Sequence, residues 1–267
     1  MKEAVKFSTI LSNVVIALII ISADCYAGNV FRTPKPLNLK ILNLDMANNS
    51  VDDQFINCFD QTYNRIKESI LPQELESNPL FKETWMHFSN ISDIFTRIIK
   101  VYTTSKDLYS YLNNNVSSGR ENYIRTFNYK AFHFLLTHAI QKYKVRNCTD
   151  VFRKTTVRFN INVLDQEMRF GRFASTSLRD DITTFGSSSC FKINTCFGAN
   201  IANMSEFPKE EEVLIPPFEK FRITNITTAK NKLNCSVIYT LQSTGNFSNM
   251  NCELINTNVR VAYKRLF

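Results

Sequence analysis

Apolar residues recur every three or four positions in the first half of the chain and every second position in much of the rest. Phe55, Phe59, Tyr63, Ile66 and Ile70 lie at helical spacing, with Pro72 just beyond. Ile91, Ile94, Ile98 and Tyr102 make a second stripe. A third runs through Phe127, Ala131, Leu135 and Ala139, flanked by Phe132, Leu136, Ile140 and Tyr143. Its apolar arc is wide, which predicts a helix laid against a sheet. His133 and His138 fall inside it and read as core or surface residues rather than catalytic ones. From about Cys148 the period shortens. Val157, Phe159, Ile161 and Val163 alternate with Arg158, Asn160 and Asn162, the pattern of a strand. Phe191 with Ile193, Val213 to Ile215, Phe221 to Ile226, Val237 to Leu241 and Val259 to Tyr263 are further strands. Gly171, Gly186, Gly198 and Gly245 fall at turns or bulges. The fold class predicted is α+β: residues 28–146 mainly helical and 147–267 mainly strand, in a largely antiparallel two-sheet core.

The first 27 residues stand apart from that pattern. Lys2 and Lys6 precede an unbroken apolar run from Val14 to Ile21, and small residues lead to Ala27. This is the form of a secretory signal peptide, too short to span a bilayer comfortably. The chain stops at Arg260-Val-Ala-Tyr-Lys-Arg-Leu-Phe267 without the hydrophobic tail of a GPI signal, so the expectation is a secreted protein with no stable membrane anchor. Of seven cysteines, six lie beyond the leader. An even count in a secreted chain points to disulfides. No Cys-x-x-Cys pair and only three His argue against a zinc site. Eight Asn-x-Ser/Thr sequons begin at Asn48, Asn90, Asn115, Asn147, Asn203, Asn225, Asn234 and Asn246, as in a glycoprotein. The net charge of +8 is diffuse, with no basic block of the kind that binds nucleic acid. Nothing in the pattern indicates an oligomer.

The segment Phe207-Pro-Lys-Glu-Glu-Glu-Val-Leu-Ile-Pro-Pro-Phe-Glu219 carries the clearest candidate chemistry. Read as the start of a strand, it puts Glu210 and Glu212 on one face. Paired carboxylates in different environments are the usual equipment for chemistry at a glycosidic carbon. A glycosidase fits poorly, because carboxylates two apart on one strand project in parallel rather than flanking a sugar. Upstream, Val151-Phe-Arg-Lys-Thr155 presents Arg153 in a strand, and Phe170-Gly-Arg-Phe-Ala-Ser-Thr-Ser177 presents Ser175.

Arginine, then Ser-x-Ser, then Glu-x-Glu resembles the signature of the arginine-specific mono-ADP-ribosyltransferases, vertebrate-type ecto-enzymes related to bacterial ADP-ribosylating toxins. Leu44 to Phe55, Ile99 to Thr103, Asn194 to Gly198 and Ser248 to Cys252 resemble other segments of that family, so the likeness spans nearly all of residues 28–267 as a single domain. It implies an NAD-binding core of toxin type and transfer of ADP-ribose from NAD+, as co-substrate, to arginine-bearing acceptor proteins, without a metal. It implies that Glu212 stabilises the positively charged sugar, that Glu210 engages the acceptor guanidinium, that Arg153 holds the diphosphate and that Ser175 orients Glu212. Tyr102, Arg172, Phe185 and Ser205 are further candidate NAD contacts, for which packing or surface roles fit equally. The likeness also implies disulfides Cys58–Cys252 and Cys148–Cys196. It leaves Cys190 and Cys235 open as a third pair. Closing a loop as long as the first contributes about 4–5 kcal/mol in the chain-entropy model. Lys154 departs from the family, which often has Gly there. Two other readings use the same residues: an NAD glycohydrolase, with water as acceptor, and a secreted binding protein without catalysis.

Overall fold

The computed structural model describes residues 40–255 except Ser105. The expected leader, the strand expected over Val259 to Tyr263 and the chain end lie outside those residues.

The helical half is built on α1 (Phe59–Arg65), α2 (Leu71–Ser77), α3 (Pro79–His87), α4 (Ile94–Thr104), α5 (Lys106–Ser118) and α6 (Lys130–Lys142). Pro72 lies inside the first helical stretch, not beyond it. A π turn over Ile66–Ile70 joins α1 to α2, and the Leu71 N–H reaches back to Ile66. The wider turn resets the count, so Pro72 falls in the first turn of α2, where a missing N–H costs nothing. α6 is apolar almost all round: Phe132, Phe134, Leu135, Leu136 and Ile140 are fully buried. It packs into one cluster with Phe173, Ala199, Ile201 and Leu214 of the strand half, as its wide arc predicts.

Glu74 caps α6 from another helix. Its carboxylate accepts the Ala131 N–H at 2.9 Å and the Phe132 N–H at 3.1 Å. These are two of the four N–H groups that a helix start leaves unpaired. Burial raises the Glu74 pKa to about 7. Glu74→Ala strands both amides away from water and should destabilise the fold by about 1–3 kcal/mol. Urea unfolding at neutral pH checks this, and Glu74→Gln, which keeps an acceptor, should lose less.

The strand half has β1 (Ile41–Leu42), β2 (Thr149–Thr155), β3 (Arg158–Phe159), β4 (Glu167–Arg169), β5 (Ala174–Ser177), β6 (Ser189–Thr195), β7 (Ala199–Asn200), β8 (Glu212–Ile215), β9 (Glu219–Thr227) and β10 (Val237–Asn246). Eight of them run in the order β4-β9-β10-β6-β2-β5-β8-β7, and β1 pairs only with β3. All neighbours in the eight are antiparallel except β6 and β10. The five strands ending at β2 meet the three starting at β5 through one residue pair, Phe152 with Ser177. The two-sheet core is therefore two ladders hinged at β2 and β5, and that hinge places the candidate site. The strand expected over Val157 to Val163 reduces to Arg158–Phe159. Its alternation records burial without a ladder: Phe159 packs on the core, Val163 is buried, and Ile161 is exposed.

Two adjacent carboxylates tie the described ends together. Asp52 pairs with Arg169 at 2.5 Å, both side chains fully buried, and accepts the Asn249 N–H at 3.0 Å. Arg169 also donates to the carbonyls of Met46 and Phe247, both at 2.8 Å, so the buried charge is fully engaged. Asp53 accepts the N–H groups of Phe55, Cys252 and Glu253. Disulfides join Cys58 to Cys252, Cys148 to Cys196 and Cys190 to Cys235. No helix among the described residues is long and apolar enough to cross a membrane.

Candidate active site

Three neighbouring strands bring the signature together. β2 carries Arg153, β5 carries Ser175, and β8 opens with Glu212. β5 lies between the other two, with Ser175 opposite Leu214 and Ser177 opposite Glu212. Arg153 Nη1 donates to the Ser175 carbonyl at 2.6 Å, which fixes the guanidinium across the hinge.

Each hydroxyl of the Ser175-Thr176-Ser177 triplet reaches the glutamate segment. Ser175 lies close enough to the Glu212 carboxylate for its hydroxyl to lower the carboxylate's pKa. Thr176 donates to the Val213 carbonyl and Ser177 to the Glu210 carbonyl, each at 2.5 Å. Thr176 and Ser177 thus fix the backbone on either side of Glu212.

The two glutamates do not share a strand. Pro208–Glu210 form a 3-10 turn, and Glu211 takes a left-handed conformation, φ 47°. Pro208 supplies the fixed φ that starts the turn, and the left-handed residue ends it. β8 begins only at Glu212. The carboxylates still interact, since the Glu210 charge raises the Glu212 pKa. A turn, rather than the pleat of a strand, brings them together.

Glu212 is 6% exposed. Burial raises its pKa to about 7, and Glu210 adds to the rise, while the Ser175 hydroxyl, Arg153 and the Ser205 hydroxyl oppose it. A buried carboxylate near 7 changes charge around neutral pH, a usual property of a reacting group. Burial also raises Glu210 above the ordinary carboxylate range. Arg153 and Arg172 are both held below the usual arginine value by burial, and the Arg172 charge adds to the cost at Arg153. Arg153 and Arg172, two neighbouring desolvated guanidiniums, concentrate positive charge suited to an anion such as a diphosphate.

Tyr102 on α4 is buried against this site. Its hydroxyl donates to the Phe173 carbonyl at 3.2 Å and accepts from Asn113 Nδ2 at 3.1 Å. Burial first, then the Glu212 charge, push its pKa well above the ordinary phenol value. Ser205 is 3% exposed, accepts the Phe207 N–H at 3.0 Å, and lies close enough to Glu212 to lower its pKa. Its place is therefore beside Glu212. Phe185 lies in the loop after β5, 50% exposed, and pairs with no ring among the described residues. Lys154 points to the other face of β2, where Nζ is 3.5 Å from the Leu233 carbonyl.

Two residues of the site were not singled out in the sequence. Asn113 also accepts the Phe173 N–H at 2.9 Å, so one buried amide holds both Tyr102 and the entry to β5. Lys100 Nζ grips Glu206 at 2.7 Å and the Ser205 carbonyl at 3.3 Å, pinning the loop before β8 to α4. Asn113 sits in the run Asn113-Asn-Asn115, which reads as solvated, and Lys100 reads as one surface charge of many.

A cavity of about 390 Å³ lies on the opposite face of the sheet, against Asp150, Phe152, Lys192, Leu233 and Thr240. It holds none of the expected site residues, because alternation along β2 turns Phe152 and Lys154 away from Arg153. Among the described residues no group of three His, Cys, Asp or Glu is placed to hold a metal ion.

The model of the family described as NAD:arginine ADP-ribosyltransferase matches residues 44–248. The erythroblast NAD(P)(+)–arginine ADP-ribosyltransferase of Gallus gallus is 33% identical over 239 residues, 81% of this chain and 77% of the relative. Ecto-ADP-ribosyltransferase 5 of Homo sapiens is 34% identical over 213 residues, 70% of this chain and 73% of its own. The GPI-linked NAD(P)(+)–arginine ADP-ribosyltransferase 1 of Mus musculus is 32% identical over 79% of this chain and 73% of its own. Among solved structures, the eukaryotic mono-ADP-ribosyltransferase ART2.2 superimposes with a TM-score of 0.68 at 29% identity, covering 79% of this chain and 99% of that one. A mutant of ART2.2 in complex with NAD matches with a TM-score of 0.65 at 27% identity over the same shares.

Proposed function

This chain belongs to the NAD:arginine ADP-ribosyltransferase family, and from that membership and the geometry above we propose that it moves ADP-ribose from NAD+ to an arginine side chain of an acceptor protein, releasing nicotinamide. One observation carries the reading: a Glu212 buried to 6% exposure at the head of β8, with Ser175, Ser205, Arg153 and Glu210 all close enough to shift its pKa.

In the proposed reaction the bond between the nicotinamide nitrogen and the ribose carbon breaks, and nicotinamide leaves with the bonding pair. Positive charge spreads over the ribose ring as it departs. A fixed carboxylate stabilises that charge more than it stabilises bound NAD+, which is already cationic elsewhere, so Glu212 acts on the transition state. Ser175 and Ser205 hold the carboxylate in one orientation, so little reorganisation is left to the reacting complex. Arg153 and Arg172 take the diphosphate. Tyr102 packs under the ribose side of the site, and the exposed Phe185 covers the nicotinamide. The acceptor guanidinium arrives protonated. Glu210, on its turn at the rim, pairs with it and takes the proton lost when the new C–N bond forms. Its raised pKa makes it a better base than an exposed glutamate.

We read residues 28–267 as one catalytic domain behind a leader over 1–27, exported to the cell exterior. The three bridges suit an oxidising compartment, and two of the relatives are named as ecto- or GPI-linked enzymes.

Glu210→Gln separates the transferase from the hydrolase reading. With labelled NAD+ and agmatine, the variant should lose transfer by about 10²-fold, the scale for removing one positioned catalytic group, while nicotinamide release to water persists. Equal loss of both would place Glu210 in bond cleavage instead and sink its assignment to the acceptor.

A further inference from the structure

The turn that precedes β8 is fastened on three sides and open on the fourth. Met204 and Ser205 N–H groups both bond to the Ile201 carbonyl at 2.8 Å, which closes the turn. Met204 is directed at α4, with Sδ 3.9 Å from the Thr96 hydroxyl. Ser205 is directed inward to Glu212. Lys100 holds Glu206 from α4, and the Glu206 N–H donates to the Thr103 hydroxyl at 3.1 Å. Asn203 remains at the exposed side of the turn, and its amide enters no hydrogen bond among the described residues. It begins the sequon Asn203-Met-Ser205. A few residues on, Phe207 is 53% exposed and Glu210 stands on its 3-10 turn.

We propose that Asn203 carries an N-linked glycan that rises from the rim of the active site and filters acceptors by size, admitting small guanidines and restricting the proteins that dock against Glu210. The acceptor part rests on the transferase reading; the modification itself does not. The sequon is used before folding, so the later burial of the Ser205 hydroxyl does not obstruct it. The chain's three disulfides place its folding where the glycosylation machinery operates. The turn cannot swing the sugar away, because Met204, Ser205 and Glu206 are each held. A branched oligosaccharide on that anchor stays beside the cleft and excludes volume that a protein surface needs. Agmatine needs only the gap above Glu210.

The same motif therefore serves two purposes that substitution can separate. Ser205→Ala removes the glycan together with a hydroxyl that neighbours Glu212. Asn203→Gln removes the glycan alone.

The test uses the full chain expressed in secreting animal cells. The peptide containing Asn203 is examined by mass spectrometry before and after enzymatic removal of N-glycans. Transfer is then measured to agmatine and to a folded arginine-bearing protein, for wild type, Asn203→Gln and the control Asn225→Gln, whose sequon lies on β9. The expected result is a glycan on Asn203, an unchanged rate with agmatine, and a severalfold gain with the protein acceptor in Asn203→Gln only. An unmodified Asn203 overturns the proposal. So does a glycan whose removal leaves the ratio of protein to agmatine transfer unchanged. If wild type transfers to neither acceptor, the transferase reading fails and takes the filter with it, while the peptide mass still decides the modification.

Discussion

Glu212→Gln should abolish turnover of NAD+ and make the protein more stable. The first effect follows from the role of the carboxylate: without a negative charge facing the developing cation, the rate should fall at least about 10²–10³-fold, for transfer and hydrolysis alike. The second follows from linkage. The folded-state pKa of Glu212 is raised to about 7, above the ~4.3 of a free glutamate. Between those values the folded protein holds a proton that the unfolded chain has released, so folding is penalised as pH rises. The penalty is absent below the unfolded value, grows through the window, and is complete above about pH 7. Glutamine has no charge to desolvate and still meets the Ser175 and Ser205 hydroxyls. The variant should therefore match wild type near pH 4 and exceed it above pH 7, by about 4 kcal/mol at full ionisation. Chemical denaturation at both pH values measures this. Equal stability at high pH would mean that the carboxylate is not buried as described. For wild type, kcat/KM should climb through a limb near pH 7 as Glu212 ionises.

Breaking the Cys58–Cys252 bridge should give the largest stability loss of any single covalent change. It closes a loop with a sequence separation of 194, which in the chain-entropy model is about 5 kcal/mol. The Cys148–Cys196 loop, at 48, is about 4 kcal/mol on the same basis. The surrounding structure adds to the first. Asn249, Cys252 and Glu253 dock their amides on Asp52 and Asp53, and the bridge holds that segment in place. The Cys58→Ser/Cys252→Ser double variant should lower the guanidinium midpoint more than Cys148→Ser/Cys196→Ser. It should also raise proteolysis after Phe247. The reverse order would show that the carboxylate contacts alone secure residues 249–253.

Much of this was legible in the sequence, for identifiable reasons. Helical stripes were readable because each helix buries one face against one core, and α6 because it is apolar all round. Arg153, Ser175 and Glu212 were readable as an ordered set, although they lie on three strands. Other features depended on distant partners. The alternation around Phe159 predicts a longer strand than the one that forms, because alternation reports burial and not pairing. Nothing in Glu210-Glu-Glu212 announces a left-handed residue at Glu211, and only Pro208 hinted at a turn. Pro72 read as a stop because a π turn leaves no local pattern. Asn113 and Lys100 act through residues about 60 and 105 positions away, respectively, so no spacing rule could mark them.

The measurement that tests the central claim most directly follows both products at once. The secreted protein is incubated with NAD+ labelled in the adenosine and agmatine in excess, and nicotinamide release is compared with labelled agmatine. The account predicts matched amounts of the two, both lost in Glu212→Gln. Nicotinamide without the agmatine adduct would contradict it in favour of hydrolysis, and neither product from a folded protein would contradict it outright.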